Sequence, residues 1–266
     1  MIDAGFGLSE IREVMGKVFP ENISYNPKGK FDQNLGFKRL MNANHGRKKP
    51  NIDRGSPEGI LVINDFIDGK TCDMLKKYAD SQDYTDLGVV DFKKSNKYKI
   101  ETTMDEGRIS NHIEIDGKAY EIISIFNEIC RFILTPFYDV NVEWYERPQL
   151  LRYSSGGRYD SHTDSERWLK NRRKWMRVLD RDYSILLYLN DEYEGGEIQF
   201  SRQLYTIKPK SGMLVIFPSD NRYMHGALPT LSGIRYAIVS WVAIIGSRRV
   251  RTRMSDDSVY IRQKCL

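Results

Sequence analysis

Arg158-Tyr159-Asp160-Ser161-His162-Thr163-Asp164 is the stretch on which the fold reading turns. A strand alternates its faces, so His162 and Asp164 point one way and Thr163 the other. Two donors on the inner face of a strand need a third from elsewhere to hold an ion. His225 offers it, after the apolar run Met213-Leu214-Val215-Ile216-Phe217 and a turn at Pro218-Ser219-Asp220. Short segments rich in Tyr, Ile, Val and Leu surround these positions, with turn residues between them: 143–153, 158–164, 183–190, 196–200, 204–208, 212–217, 222–225 and 234–243. Eight short strands after two helices predict a mainly β fold with flanking helices, a double-stranded β-helix or jelly-roll barrel with the helices packed outside.

Upstream, Ile122, Ile125-Phe126, Ile129-Cys130 and Ile133-Leu134 keep a 3.6-residue period, which predicts a core-facing helix over 118–137 that ends near Pro136. Gly59 to Ile63 reads as a buried strand, and Asp68 leads into a helix over 70–81. Residues 83–116 are polar and Lys-rich, a loop with short strands. Before Gly59 the chain is rich in Asn, Gly, Lys and Pro, with one short amphipathic helix at Ser9 to Val18 capped by Ser9. The expected organisation is an N-terminal arm over 1–58, a barrel domain over 59–246 and a basic tail over 247–266.

A chain of 266 residues favours one large domain over two. No apolar run approaches the ~20 residues that cross a bilayer, and Met1 to Phe19 lacks a signal-peptide core. Cys72, Cys130 and Cys265 are scattered and odd in number, which suits free thiols in a reducing compartment; a cytoplasmic location is expected, with no membrane partner. The net charge of +5 is mildly basic, enough for solubility and suited to an acidic partner where the charges cluster.

Two imidazoles and one carboxylate grip one face of an ion and leave the opposite positions open, as in non-haem Fe(II) oxygenases. The absence of nearby thiolates argues against structural zinc, and no glutamate base stands beside the histidines as in a zinc hydrolase. His45 and His112 lie in polar surroundings and receive no role. Arg235 shares a strand face with Ala237, Val239 and Trp241. A guanidinium aimed into an apolar barrel needs a partner, either a protein carboxylate or that of a ligand. Tyr188, on the face of Ser184 and Leu186, reads as a donor to the same carboxylate or as a core aromatic.

At these residues the chain resembles the prolyl 4-hydroxylase group of Fe(II)/2-oxoglutarate dioxygenases. The resemblance runs from Gln149 to Trp241. It takes in Gln149-Leu-Leu-Arg-Tyr153, the Gly156-Gly157-Arg158-Tyr159 turn, His162-Thr-Asp164, Tyr188-Leu-Asn190, Gly195-Gly196-Glu197, Pro209-Lys-Ser-Gly212, His225-Gly226, Arg235 and Trp241. It implies Fe(II) on His162, Asp164 and His225, and 2-oxoglutarate with its distal carboxylate on Arg235 and Tyr188. Tyr153 and Trp241 would line the pocket. It also implies O2 as co-substrate, succinate and CO2 as co-products, and ascorbate as a reductant. By the same analogy a peptide or protein substrate is favoured, proline first; a free amino acid or other small molecule is the alternative. Nucleic-acid demethylation is disfavoured because Trp241 stands where those oxygenases carry a second arginine, and a non-catalytic binding module because the ligand set is intact.

The departure from the group is Ser165 to Arg181. Arg167, Lys170, Arg172, Arg173, Lys174, Arg177 and Arg181 are interspersed there with Trp168, Trp175 and Met176. It reads first as a solvated helical loop with its tryptophans on the barrel, and second as a binding segment for an acidic peptide or nucleic acid. Arg248 to Arg253 reads as an exposed tail.

Overall fold

A computed structural model of the chain describes residues 31–43, 49–91, 94, 95, 101–250 and 257–261. Contacts divide the chain into Met1–Lys30 and Phe31–Leu266, and the described residues belong to the second unit. The helix expected at Ser9 to Val18 lies outside them, as does His45.

Helix α1 (Gln33–Ala43) occupies part of the stretch read as an arm. Its apolar stripe is thin, but Phe37 and Leu40 are buried and the Phe37 ring centroid lies 5.4 Å from that of Phe137. The Gln33 amide donates to the Ser56 carbonyl at 2.8 Å and accepts from the Gly59 N–H at 2.7 Å. Tertiary packing, more than local propensity, holds this helix.

Strand β1 (Leu61–Asn64) and helix α2 (Gly69–Asp80) follow as expected, with Asp68 accepting from the Thr71 N–H as the N-cap. The helix read over 118–137 is α3 (Ala119–Glu128), a widened π turn (Ile129–Leu134) and a short α piece (Thr135–Tyr138). It ends at Asp139, in the left-handed region at φ 57°, and not at Pro136. In a regular helix the Pro136 ring would collide with the Phe132 carbonyl; the turn widens just ahead of it, and the helix passes the proline.

The remaining strands are β2 (Asn111–Ile113), β3 (Val142–Tyr145), β4 (Gln149–Tyr153), β5 (Arg158–His162), β6 (Glu166–Leu169), β7 (Lys174–Arg177), β8 (Tyr183–Tyr188), β9 (Ile198–Phe200), β10 (Tyr205–Ile207), β11 (Leu214–Pro218), β12 (His225–Ala227) and β13 (Arg235–Ile244), with several pieces of two to four residues. The stretch 143–153 is thus two strands, and 222–225 is a 3-10 turn that leads into a strand beginning at His225. The large antiparallel sheet runs Asn51–Ile52, β1, β11, β8, β13, β4, β2, Thr85–Asp86, with β3 on the far end of β13. The small one runs β10, β9, β12, β5, Arg108–Ile109. Ile198, Phe200 and Ile207 of the small sheet share one core cluster with Val62, Val215, Phe217 and Ala237 of the large. That core between two sheets is the expected double-stranded β-helix.

The segment after Asp164 is a hairpin of β6 and β7 and not a helical loop. Trp168 and Trp175 face each other across it, ring centroids 5.7 Å apart and edge to face. The indoles pack on each other, a cross-strand pairing that favours the hairpin. Arg249 also departs from the expected exposed tail: its side chain is 9% exposed, bonded to Glu143 and Asp182. No helix among the described residues is long and apolar enough to cross a membrane.

Candidate active site

The small sheet brings the two histidines together. β5 and β12 are antiparallel, with His162 directly opposite His225, the register in which side chains meet. Asp164 reaches them differently from the strand-parity expectation. β5 ends at His162, so Asp164 lies past the strand, where the chain bends. Ser184 on β8 donates a 2.6 Å hydrogen bond to its Oδ2, and Ser184 in turn bonds Ser219 at 2.7 Å. The three ligand atoms lie within 4.8 Å of one another. His162 Nε2 is 3.4 Å from Asp164 Oδ1, and His225 Nε2 is 3.5 Å from Oδ2.

Each imidazole is oriented from behind. His162 Nδ1 lies 2.8 Å from the Asp160 carbonyl, and His225 Nδ1 3.0 Å from that of Tyr223. A nitrogen beside a carbonyl must donate, so the lone pair of each neutral ring is on Nε2, facing Asp164. The Tyr159 ring stacks on His162 at 3.6 Å, and Phe217 packs edge-on to His225 at 4.6 Å. Burial holds the His225 imidazole down at about 4, against the pull of Asp164. Burial also pushes the Asp164 carboxyl upward, but His225, His162 and Arg181 outweigh it and hold it well below the usual carboxylate range. Two neutral nitrogen donors and one charged carboxylate, with no thiolate, fit a divalent ion such as Fe(II) with open positions.

The other end of the same pocket is polar and unsatisfied. Arg235 is 3% exposed. Its Nη1 donates to the Gly196 carbonyl at 2.8 Å, and its guanidinium lies 3.9 Å over the Tyr153 ring and 5.9 Å from that of Tyr188. Among the described residues no carboxylate pairs with it, and Arg235 Nε has no partner; neither do the hydroxyls of Tyr188, Thr230 and Tyr193. Gly196 lets them converge: at φ 65°, a Cβ there would stand 3.2 Å from Arg235 Cδ, 3.3 Å from Thr230 Oγ1 and 3.1 Å from the Tyr193 ring. Buried donors are normally paired, so a cation with hydroxyls around it and no partner fits an organic carboxylate. His162, Asp164, His225, Tyr188, Arg235 and Trp241 all line the one pocket.

Trp241 lies over an arginine that the sequence reading counted among surface charges. The Arg181 guanidinium sits 3.6 Å from the indole and forms a bidentate pair with Glu146 at 2.6 and 2.7 Å. Both side chains are largely buried, at 11% and 19% exposure. Nothing local in the sequence separates Arg181 from its basic neighbours, nor marks Thr230, Tyr193 or Ser219. Ser184 was legible only as sharing the face of Tyr188. His112 sits on β2, 3.5 Å from Glu114 and apart from the pocket's lining.

Comparison with known proteins agrees with this geometry. The model of the 2OG-Fe(II) oxygenase superfamily matches residues 148–243, essentially β4 through β13. Prolyl 4-hydroxylase 1 of Arabidopsis thaliana is 28% identical over 217 residues, covering 74% of this chain and 72% of its own. A PKHD-type hydroxylase of Synechococcus is 35% identical over 104 residues, covering 36% of this chain and 45% of its own; the chain thus matches less than half that relative's length. Among solved structures, a Trichoplax adhaerens prolyl hydroxylase in complex with a hypoxia inducible factor peptide fragment superposes with a TM-score of 0.50 at 18% identity. That superposition covers 79% of this chain and 88% of the other, and it shows a shared fold.

Proposed function

The chain belongs to the 2OG-Fe(II) oxygenase superfamily, in its prolyl 4-hydroxylase-like group, and we propose that it hydroxylates a peptidyl residue, proline by preference, through the pocket just described. It is an Fe(II)/2-oxoglutarate-dependent hydroxylase with O2 as co-substrate. The residue roles are our assignment: His162, Asp164 and His225 hold iron, and Arg235, Tyr188 and Thr230 hold the distal carboxylate of 2-oxoglutarate. Tyr153 supports Arg235 from one side, and Trp241 walls the pocket.

One observation carries the assignment: three convergent metal donors and an unpaired buried arginine line the same pocket. Bound iron and 2-oxoglutarate would supply the oxidising power for C–H hydroxylation, with loss of succinate and CO2. The protein's part is positional. Ser184 and the carbonyls of Asp160 and Tyr223 aim the ligands, the Arg235 end sets the reach of the co-substrate, and the apolar walls Leu186, Ala237 and Val239 exclude water. We assign the reaction core to residues 59–246. A cytoplasmic location accords with Cys72 and Cys130 being free and buried, and ascorbate as reductant comes with the family resemblance.

The experiment is 2-oxoglutarate turnover with Fe(II), with and without ascorbate, measured as succinate and coupled to a peptide library searched for products that gain one oxygen atom. Succinate formation with peptide oxidation supports the reading. Oxidation of free amino acids or other metabolites, with every peptide untouched, would overturn the peptidyl assignment; failure to bind 2-oxoglutarate would overturn the residue roles.

A further inference from the structure

The β6–β7 hairpin rises directly from the metal end of the pocket, yet its tip lines none of it. Its base is tied to the barrel. Glu166 accepts from the Asn221 N–H at 2.8 Å and from its amide at 2.5 Å, and Arg177 donates to Asp182 at 2.8 Å. The Val178 N–H closes the neck on the Ser165 carbonyl at 2.8 Å. These contacts occupy the hairpin's single acid, Glu166, and its last base.

The tip is different. Lys170, Arg172, Arg173 and Lys174 are exposed within five consecutive positions, and none pairs with an acid among the described residues. Beside them Trp168 is 46% and Met176 38% exposed. Arg202, from the exposed turn 201–204, lies 5.8 Å over the Trp175 ring. That turn follows Phe200, which is paired across the small sheet with His225. Both arms of this basic, indole-bearing surface therefore leave the barrel beside the metal donors: Glu166 is two residues past Asp164, and Ser201 is one past Phe200, the cross-strand partner of His225.

Four like charges held together repel one another, and an acidic partner relieves the repulsion while steering association. Geometry sets where that partner lies. A four-residue strand reaches about 13 Å, so an extended peptide with one residue at the metal donors passes the hairpin within roughly four residues. We propose that the hairpin is a docking arm for an acidic segment of the protein substrate that flanks the residue entering the pocket. This rests on the hydroxylase reading above. The indoles favour a peptide over a nucleic-acid strand: they meet edge to face, and Arg202 covers Trp175, so no row of open ring faces is left for successive bases.

The test uses the full chain and labelled peptides of equal length with a central proline and flanks that are Glu-rich, uncharged or Lys-rich. Binding is followed by fluorescence anisotropy across a salt series. The acidic peptide should bind at least tenfold more tightly than the uncharged one, and its affinity should fall with salt. K170Q/R172Q/R173Q/K174Q should remove that preference, and K170E/R172E/R173E/K174E should transfer it to the Lys-rich peptide, an inversion that misfolding does not produce. Equal affinity for all three peptides, or an unaltered preference in the glutamine variant, would overturn the docking arm. So would tighter binding of a single-stranded oligonucleotide of equal charge. A thermal shift with Mn(II) and 2-oxoglutarate, run alongside, reports on the pocket, so failure of the hydroxylase reading is seen separately from failure of the arm.

Discussion

Ser184 Oγ donates a 2.6 Å hydrogen bond to Asp164 Oδ2, and this is how a carboxylate beyond the end of β5 is aimed at two histidines on the small sheet. The serine belongs to the large sheet, so the metal donors are positioned by both layers of the barrel. Ser184→Ala should lower Mn(II) or Fe(II) affinity about 10-fold to 100-fold, the usual consequence of losing a partner that orients a ligand. Asp164→Ala should abolish binding. Calorimetry under anaerobic conditions checks both; unchanged affinity in Ser184→Ala would remove the serine from the site.

The Arg235 end makes a different prediction. Arg235→Ala should raise the dissociation constant for 2-oxoglutarate by an order of magnitude or more, as expected for a charged hydrogen bond of about 1.5–3 kcal/mol, and leave metal binding nearly intact. Competition binding with a labelled 2-oxoglutarate analogue measures it.

Tyr188→Phe separates ligand binding from folding. Its hydroxyl is buried without a partner among the described residues, so removing it should leave the stability of the ligand-free protein unchanged or slightly raised. Affinity for 2-oxoglutarate should nevertheless fall several-fold. Thermal melts with and without the co-substrate show the two effects apart.

Gly196→Ala should harm both. The φ of 65° is strained for alanine, and the added Cβ would press on Arg235 Cδ and Thr230 Oγ1. A loss of about 1 kcal/mol of stability is expected from the backbone alone, with weaker 2-oxoglutarate binding on top. Denaturant unfolding and the competition assay together measure it.

Arg181→Ala should destabilise the fold by about 3–5 kcal/mol, because it leaves Glu146 buried without its bidentate partner. The double variant Arg181→Met with Glu146→Leu should recover much of that loss, since the Glu146 carboxylate is then no longer stranded. Urea unfolding of the three proteins tests the coupling, and a double variant no better than the single would refute it.

Most of the barrel was legible because strand alternation and turn residues are local. β8, β11 and β13 lie within one or two residues of their predicted bounds, and parity placed Arg235, Ala237, Val239 and Trp241 on the pocket side. Reading failed where long-range contact overrides local pattern. Helix α1 depends on aromatic packing against Phe137, far along the chain; the helix past Pro136 and the hairpin after Asp164 depend on a widened turn and on a cross-strand indole pair, neither of which a regular period shows.

The donor types, the HxD spacing, the later histidine and the arginine are legible along the chain, since each is a matter of residue identity and strand period. Long-range packing sets that His162 opposes His225, that Asp164 arrives by a bend held from the other sheet, and that Arg235 meets no acid among the described residues. It also decided that Arg181 is buried while its basic neighbours at the hairpin tip are exposed. Register is the cause: pairing between strands far apart in the chain sets which side chains converge, and no local periodicity encodes that pairing.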